Sequence, residues 1–174
     1  MIEWVDSFDG YSTNELASRY SWNGLGSWSI GSGRNGTQGL IGVAAAANPI
    51  VKSLPAGATK IVGFALFAPS LPAADRGLLA FYEDSTRHVN LRVTSTGTIT
   101  AYRHTTLLGT SSGAIPSGVW CYIEVKTTIH DSAGAVEVRL NGSTILNLTS
   151  VDTRNGGSVG TINGLYLLSE GMVT

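Results

Sequence analysis

Residue types able to do chemistry are present in this chain, but few of them are spaced for it. A carboxylate-based glycosidase needs an acid and a second carboxylate about 5–5.5 Å apart for retention, or about 6.5–9.5 Å for inversion. On a strand that means acidic residues at i, i+2 or i, i+4, so that both face one groove. No such pair occurs: Glu83 and Asp84 are adjacent and face opposite ways in an extended chain, and Glu124 and Glu137 each stand alone on their strands. No G-x-S-x-G elbow, H-E-x-x-H pair or phosphate-binding loop is present. The expectation is a protein that is not an enzyme.

Metal chemistry is equally thin. Calcium takes about six to eight oxygens, and only Asp131 in a turn and Asp152 with Asn155 offer them, without an acidic cluster to concentrate the charge. His88, His104 and His130 never share an i, i+2 spacing. A single cysteine, Cys121, excludes an intrachain disulfide and any zinc site that needs two thiolates. Its strand places it on the apolar face, where it reads as a buried, inert thiol. No metal and no cofactor are expected.

One constellation remains. If the strands lie side by side in a single sheet, their outward face gathers His88, Asn90, Arg92, Tyr102, Trp120 and Tyr122, with Glu124, Lys126, Glu137 and Arg139 beside them. Aromatic rings next to Asn and Arg suit a saccharide, which stacks its apolar face and hydrogen-bonds its hydroxyls. The same residues suit a protein interface. They also fit an ordinary exposed sheet with cross-strand charge pairs such as Glu124 with Arg139. These three readings stay open at this point.

The elements that would carry these residues are announced best between Val119 and Leu148. From Trp120 to His130, Cys121, Ile123, Val125, Thr127 and Ile129 alternate with polar or aromatic residues, the period-2 mark of a half-buried strand. Asp131 to Gly134 supplies a turn in which Gly134 is free to take positive φ. Val136, Val138 and Leu140 then point inward. Asn141-Gly142 is a two-residue hairpin signal, since both residues tolerate the left-handed region of a type I′ turn. Ile145, Leu146 and Leu148 form the third strand.

Elsewhere the pattern is similar. Glu3 to Phe8 reads as an opening strand and Ser12 to Leu16 as a short helical turn. Ser21 to Thr37 reads as tight turns around a short strand, with Trp22 and Trp28 packing loops onto the core. Gln38 to Val43 is a strand, Ala44 to Pro49 a loop, and Leu54 to Gly57 a turn. Ile61 to Ala68 is a nearly continuous apolar run and reads as a central strand covered on both faces. Leu78 to Tyr82, His88 to Thr94 and Thr98 to Arg103 make a meander, with Val89, Leu91 and Val93 on one side of its middle strand. Leu107 to Thr110 is a short strand, Ser111 to Gly118 a loop, and Thr161 to Leu168 the last strand. Strands every 8–12 residues or so, with turns between them, point to an all-β sandwich or barrel.

The bulk properties narrow the function classes. The 174 residues suit one domain, residues 1–174, with a core of its own. Charged residues are 13% of the chain, roughly half the usual share, while 43% are hydrophobic. The polar surface therefore comes mainly from Ser, Thr, Asn and Gly, as in surfaces covered by neighbouring subunits or devoted to sugars. A formal net charge of -1 with no Lys/Arg run argues against a nucleic-acid partner. Met1 to Phe8 has neither the basic start nor the apolar core of a signal peptide, and no apolar stretch is long enough to cross a bilayer as a helix, so no membrane partner is expected.

Several stretches together carry a family resemblance. They are F-D-G-Y (Phe8 to Tyr11), G-L-L-A-F-Y (Gly77 to Tyr82), G-V-W-C-Y-I-E-V-K (Gly118 to Lys126), A-G-A-V-E-V-R-L-N-G (Ala133 to Gly142) and I-N-G-L-Y-L (Ile162 to Leu167). In this order the chain resembles the concanavalin A-like jelly roll of the laminin-G and pentraxin type. The cadence from Ile115 to Gly142 is similar to that of jelly-roll proteins of tailed-phage virions. The resemblance implies an all-β fold, a two-sheet antiparallel β-sandwich. It implies a non-enzymatic virion structural protein, a capsid decoration or tail or fibre component, assembled in the host cytoplasm. Its partners would be other virion proteins and copies of itself. The alternative is a carbohydrate-binding lectin module for host-surface glycans. Relatives continue past the last strand with a further closing strand, whereas this sequence stops at Ser169 to Thr174; closure is expected from a partner, or the sequence is a piece of a longer chain.

Overall fold

The computed structural model describes residues 8–9, 12–15, 22–23, 28–42, 49–156 and 159–167. The opening strand other than Phe8, the loop from Ala44 other than Pro49, and the closing residues Ser169 to Thr174 lie outside them.

The described strands are β1 (Trp22–Asn23), β2 (Trp28–Ser32), β3 (Gln38–Gly42), β4 (Ile50–Gly57), β5 (Thr59–Phe67), β6 (Arg76–Glu83), β7 (Thr86–Val93), β8 (Thr98–Arg103), β9 (Thr106–Ala114), β10 (Trp120–Thr128), β11 (Gly134–Leu140), β12 (Ser143–Val151) and β13 (Ile162–Leu167). They form a seven-stranded sheet in the order β1-β4-β13-β6-β7-β8-β9, a four-stranded sheet in the order β12-β11-β10-β5, and the β2–β3 hairpin. All pairings are antiparallel. β6 to β8 are the expected meander, β9 continues it at one side, and β13 inserts between β4 and β6, far from its sequence neighbour β12.

The interior is filled from both sheets. Leu79, Phe81, Val89, Leu91, Val93, Ile99 and Ala101 from the large sheet meet Ile123, Val125, Val136, Val138 and Leu146 from the small one. Full burial of a side chain such as Phe81 or Leu79 contributes roughly 1.5–3 kcal/mol. A second cluster joins Trp28 and Ile50 with Phe8, Ile30, Leu40 and Leu167, so the hairpin is fastened to the edge of the large sheet. Trp28 packs as the sequence suggests. Ser12 and Glu15 close a short turn, the Glu15 carboxylate accepting from the Ser12 amide at 2.8 Å.

The β10–β11–β12 unit follows the sequence closely. Cys121, Ile123, Val125, Thr127 and Ile129 are all buried. Asn141 and Gly142 take φ of 49° and 84°, the left-handed pair the hairpin requires. Gly134 differs: it begins β11 without a positive φ, and glycine is needed there because a Cβ would collide with the Val151 carbonyl and the Thr153 hydroxyl.

Three further expectations need correction. Leu54 to Gly57 is strand rather than turn. Pro55 is accommodated because the β4–β13 register jumps from Gly57–Ile162 to Ser53–Gly164, leaving it without a ladder position to fill. Ser111 to Ala114 extends β9 instead of looping. Ile61 to Phe67 is not central but lies at the end of the four-stranded order, one face outward, with Ile61 67% exposed. Its alternation is hidden in the sequence because the outward residues Ile61, Gly63, Ala65 and Phe67 are all apolar or small.

Candidate functional site

The six residues singled out in the sequence do not share a face. His88, Asn90, Arg92 and Tyr102 belong to β7 and β8 of the large sheet, whereas Trp120 and Tyr122 belong to β10 of the small one. The two outer faces look away from each other across the sandwich. Alternation along a strand fixes which residues leave the core, but not which layer the strand joins.

His88 is also not an outward side chain. The β6–β7 register jumps from Phe81–Val89 to Tyr82–Arg87, so His88 is the extra residue of a bulge. It is fully buried. Its Nδ1 accepts the Asn155 amide at 3.0 Å, which places the proton on Nε2, 3.2 Å from the Glu83 carboxylate. Glu83 accepts in addition from the Gly160 amide at 3.2 Å and the Thr161 hydroxyl at 2.8 Å. This cluster fastens the segment between β12 and β13 over the end of the sandwich, and it belongs to architecture.

On the outer face of the large sheet, register assembles a continuous surface. Tyr166, Ala80, Asn90 and Tyr102 lie in one cross-strand row, and Gly164, Tyr82 and Arg87 in the next. The Tyr82 and Tyr166 rings stack at 3.9 Å between centroids. Ala80, Asn90 and Thr100 are buried and form the floor, while the tyrosines and arginines around them are half-buried. The Arg92 guanidinium lies 4.9 Å over the Tyr102 ring. With its amide oriented to match its neighbours, Asn90 donates to the His104 carbonyl at 2.9 Å and accepts from Arg92 Nε at 3.3 Å. Arg87 Nη2 reaches the same carbonyl at 3.5 Å.

Beyond the stacked tyrosines this face ends in a recess of about 300 Å³ lined by Val51, Ser53, Leu54, Asp84, Asn163, Gly164 and Tyr166. Asp84 and Asn163 bind each other reciprocally: the Asp84 amide donates to Asn163 Oδ1 and Asn163 Nδ2 to Asp84 Oδ1, both at 2.8 Å. Burial, with Tyr82 adding to it, pushes the Tyr166 hydroxyl above its ordinary pKa, so it stays a hydrogen-bond donor. Gly164 lies beneath it, where a Cβ would come within a tight 3.3 Å of the Tyr166 ring and in ordinary contact with Tyr82 Cβ at 3.5 Å.

Sequence reading passed over Tyr82, Tyr166, Arg87 and the Asp84–Asn163 pair. Tyr82 ends the apolar run that starts at Leu78, and Tyr166 lies inside the run Leu165 to Leu168, so alternation marks neither as outward, and Arg87 is displaced in phase by the bulge at His88.

The outer face of the small sheet has another character. Trp120 and Phe67 pack at 5.4 Å between centroids, and Tyr122 lies over Gly63. Glu124 and Arg139 are in register as expected, yet the Arg139 Nε donates to Glu137 at 2.7 Å, which holds the Glu137 carboxyl below its usual range. The oxygens considered for calcium meet cations instead. Asp131 pairs with Arg154 at 3.0 Å, and Asp152 with Arg103. Among the described residues no group of three or more His, Cys, Asp or Glu side chains converges as a metal site. Cys121 is buried, and desolvation raises its thiol pKa.

No family model matches the chain, and no curated protein matches it. Solved structures do. Alginate lyase Aly36B superimposes with a TM-score of 0.60 at 15% identity, covering 90% of this chain and 80% of its own. The endo-β-1,4-glucuronan lyase of the fungus Trichoderma reesei gives 0.52 at 11% identity, with 82% and 84% covered. Carbohydrate binding module CBM66 from Bacillus subtilis gives 0.54 at 12% identity, with 87% and 90% covered. At these identities the likeness is one of fold. The protein is an antiparallel β-sandwich of the concanavalin A-like jelly-roll type.

Proposed function

We propose that this protein is a carbohydrate-binding module and that the outer face of its seven-stranded sheet is the binding surface. The observation that carries this reading is the arrangement on that face: tyrosine rings bordering a buried polar floor of Asn90 and Thr100, ending in the Ser53–Asp84–Asn163 recess. Tyr166 and Tyr102 stand three strand spacings apart, about 14 Å, so one short oligosaccharide can touch both. Rings supply the platform for the apolar face of a sugar, and the amide, hydroxyl and guanidinium groups between them match its hydroxyls. The similar structures, two polysaccharide lyases and a carbohydrate binding module, are consistent with a sugar ligand.

A glycan array with the wild-type chain, Tyr102→Ala and Trp120→Ala tests the reading. Binding that is lost in Tyr102→Ala and kept in Trp120→Ala supports the large-sheet face; the reverse pattern moves the site to the small sheet, and absence of any glycan signal removes the reading. An assay for newly formed chain ends on the bound glycan separates binding from cleavage.

A second reading, a non-enzymatic assembly module of a phage particle, is favoured by the outer face of the small sheet. There Ile61, Phe67, Trp120 and Tyr122 present apolar surface next to the charged residues Glu124, Lys126, Glu137 and Arg139, with Ile61 67% and Tyr122 42% exposed. Its test is the mass of the particle in solution, where multiple copies support it and a monomer at high concentration opposes it.

A further inference from the structure

The outer face of the large sheet carries two cations that no carboxylate among the described residues neutralises. The guanidinium groups of Arg103, Arg139 and Arg154 each meet a carboxylate, Asp152, Glu137 and Asp131 respectively. Arg87 and Arg92 flank buried Asn90 on the same strand, are half-buried, and meet no carboxylate among the described residues. The Nε of Arg87 is buried there without a hydrogen-bond partner among the described residues. Withdrawing even part of a guanidinium from water without an anion is costly.

The geometry of Arg92 narrows the anion. Its guanidinium carbon lies 4.9 Å over the Tyr102 ring, and its Nε is taken up by the Asn90 side-chain carbonyl at 3.3 Å. The two terminal nitrogens remain, a coplanar pair of donors whose natural partner is a planar, two-oxygen acceptor. Arg87 reaches the His104 carbonyl that Asn90 also uses, so the two cations are linked through one polar network. Toward β13 and β4, Asp84, in the turn that leads into β7, is bound to Asn163, and together with Ser53 this side offers neutral and acceptor groups suited to hydroxyls.

Resting on the carbohydrate reading above, we propose that the ligand is an acidic glycan, and that Arg92 and Arg87 take the carboxylate of a sugar residue lying over Asn90. A neutral part of the same oligosaccharide then runs across the Tyr82–Tyr166 stack toward the recess.

The experiment is calorimetric titration of the full chain with a tetrasaccharide of linked hexuronates and with the same tetrasaccharide after reduction of its carboxyl groups to hydroxymethyl. The wild type binds the uronate at least roughly tenfold more tightly than the reduced sugar, the difference expected for charge-assisted bonds. Arg92→Gln and Arg87→Gln each weaken the uronate more than the reduced sugar and so shrink that preference, and Arg92→Lys restores part of it. A urea midpoint near that of the wild type reports that the variants are folded. Equal affinity for the two sugars, or a preference that survives both glutamine variants, overturns the carboxylate assignment and leaves the carbohydrate reading standing. Failure of both sugars to bind overturns the two together for this ligand class, and tighter binding of a sulfated analogue than of the uronate overturns the planar-acceptor argument.

Discussion

The rings of Tyr82 and Tyr166 stack 3.9 Å apart and 24° from parallel, although the two residues are 84 positions apart in sequence (166 − 82). Antiparallel pairing of β6 with β13 brings them together, in neighbouring rows of that pairing. Such a pair adds about 0.5–1.5 kcal/mol beyond the area it buries. Tyr166→Ala is therefore expected to lower stability by roughly 1–2 kcal/mol and to weaken oligosaccharide binding. Tyr166→Phe keeps the stack and is expected to stay near wild type in stability. Denaturant melts paired with titrations check both; a fully destabilising Phe variant would show that the hydroxyl, not the ring, holds the pair.

Gly134 offers a test of close approach as distinct from backbone conformation. Its φ is not positive, and the obstacle to a side chain is the Val151 carbonyl together with the Thr153 hydroxyl. That hydroxyl donates to the Thr128 carbonyl at 2.7 Å and accepts from the His130 amide at 3.0 Å, so it has no freedom to retreat. Gly134→Ala is expected to cost about 1–3 kcal/mol, read as a lower urea midpoint. A neutral result would mean that the β11 entry shifts at no cost.

How much of this was legible beforehand depends on what kind of signal each residue carried. Cys121 to Ile129 alternate cleanly, and Asn141-Gly142 has one favoured conformation, so β10 to β12 could be placed to within a residue or two. The binding face could not be assembled, because its rows are made by sheet order. Asn90 meets Ala80 and Tyr102 only once β6, β7 and β8 are neighbours, and Trp120 departs to the opposite layer for the same reason. His88 fits an outward phase until a bulge is inserted next to it, and bulges have no mark in this sequence. Ile61 to Phe67 looked doubly covered because Gly63 and Ala65 conceal the outward phase, while Tyr122 lies over Gly63 from the next strand.

Thr127 is fully buried on the inward side of β10, in register with Val136 and Lys60, and its hydroxyl has no hydrogen-bond partner among the described residues. An unpaired buried hydroxyl costs about 1–3 kcal/mol. Replacing it with a methyl of similar shape removes that penalty. Thr127→Val is expected to stabilise by about 1 kcal/mol, a rise in Tm of roughly 2–4 °C for a domain of this size. Thr127→Ser, which keeps the hydroxyl and deletes the methyl, is expected to destabilise. Should Val lower the Tm, the hydroxyl has a partner that matters.

Alkaline pH should weaken the fold through two groups. Burial raises the Cys121 thiol from 9.0 and the Tyr166 hydroxyl from 10.0. The unfolded chain therefore loses these protons first, and between the unfolded and folded values the native state holds more of them. Stability is then full below the unfolded values and declines as pH rises past 9.0 for the thiol and past 10.0 for the phenol. The urea midpoint should fall over this range, less steeply in Cys121→Val and in Tyr166→Phe. A midpoint independent of pH there would contradict the burial of both groups.

Glu83 is the member of the buried end cluster on which the others depend. Its carboxylate accepts from His88 Nε2, from the Gly160 amide and from the Thr161 hydroxyl, three donors that come from β7 and from the approach to β13. His88 in turn accepts the Asn155 amide, and Asn155 Nδ2 donates to the Arg87 carbonyl at 3.1 Å. Removing the carboxylate takes the acceptor from these three buried donors, whereas removing His88 leaves the Gly160 and Thr161 donors on Glu83. Glu83→Ala is expected to cost roughly 3 kcal/mol or more, and His88→Ala less. Hydrogen exchange distinguishes a local from a global effect: in Glu83→Ala the amides of Asn155, Gly160 and Thr161 should lose protection well before those of β10 and β11. Because Arg87 sits at one end of this chain of bonds, the same variant is expected to weaken glycan binding without touching the face itself. Uniform loss of protection across both sheets would show instead that Glu83 supports the sandwich as a whole.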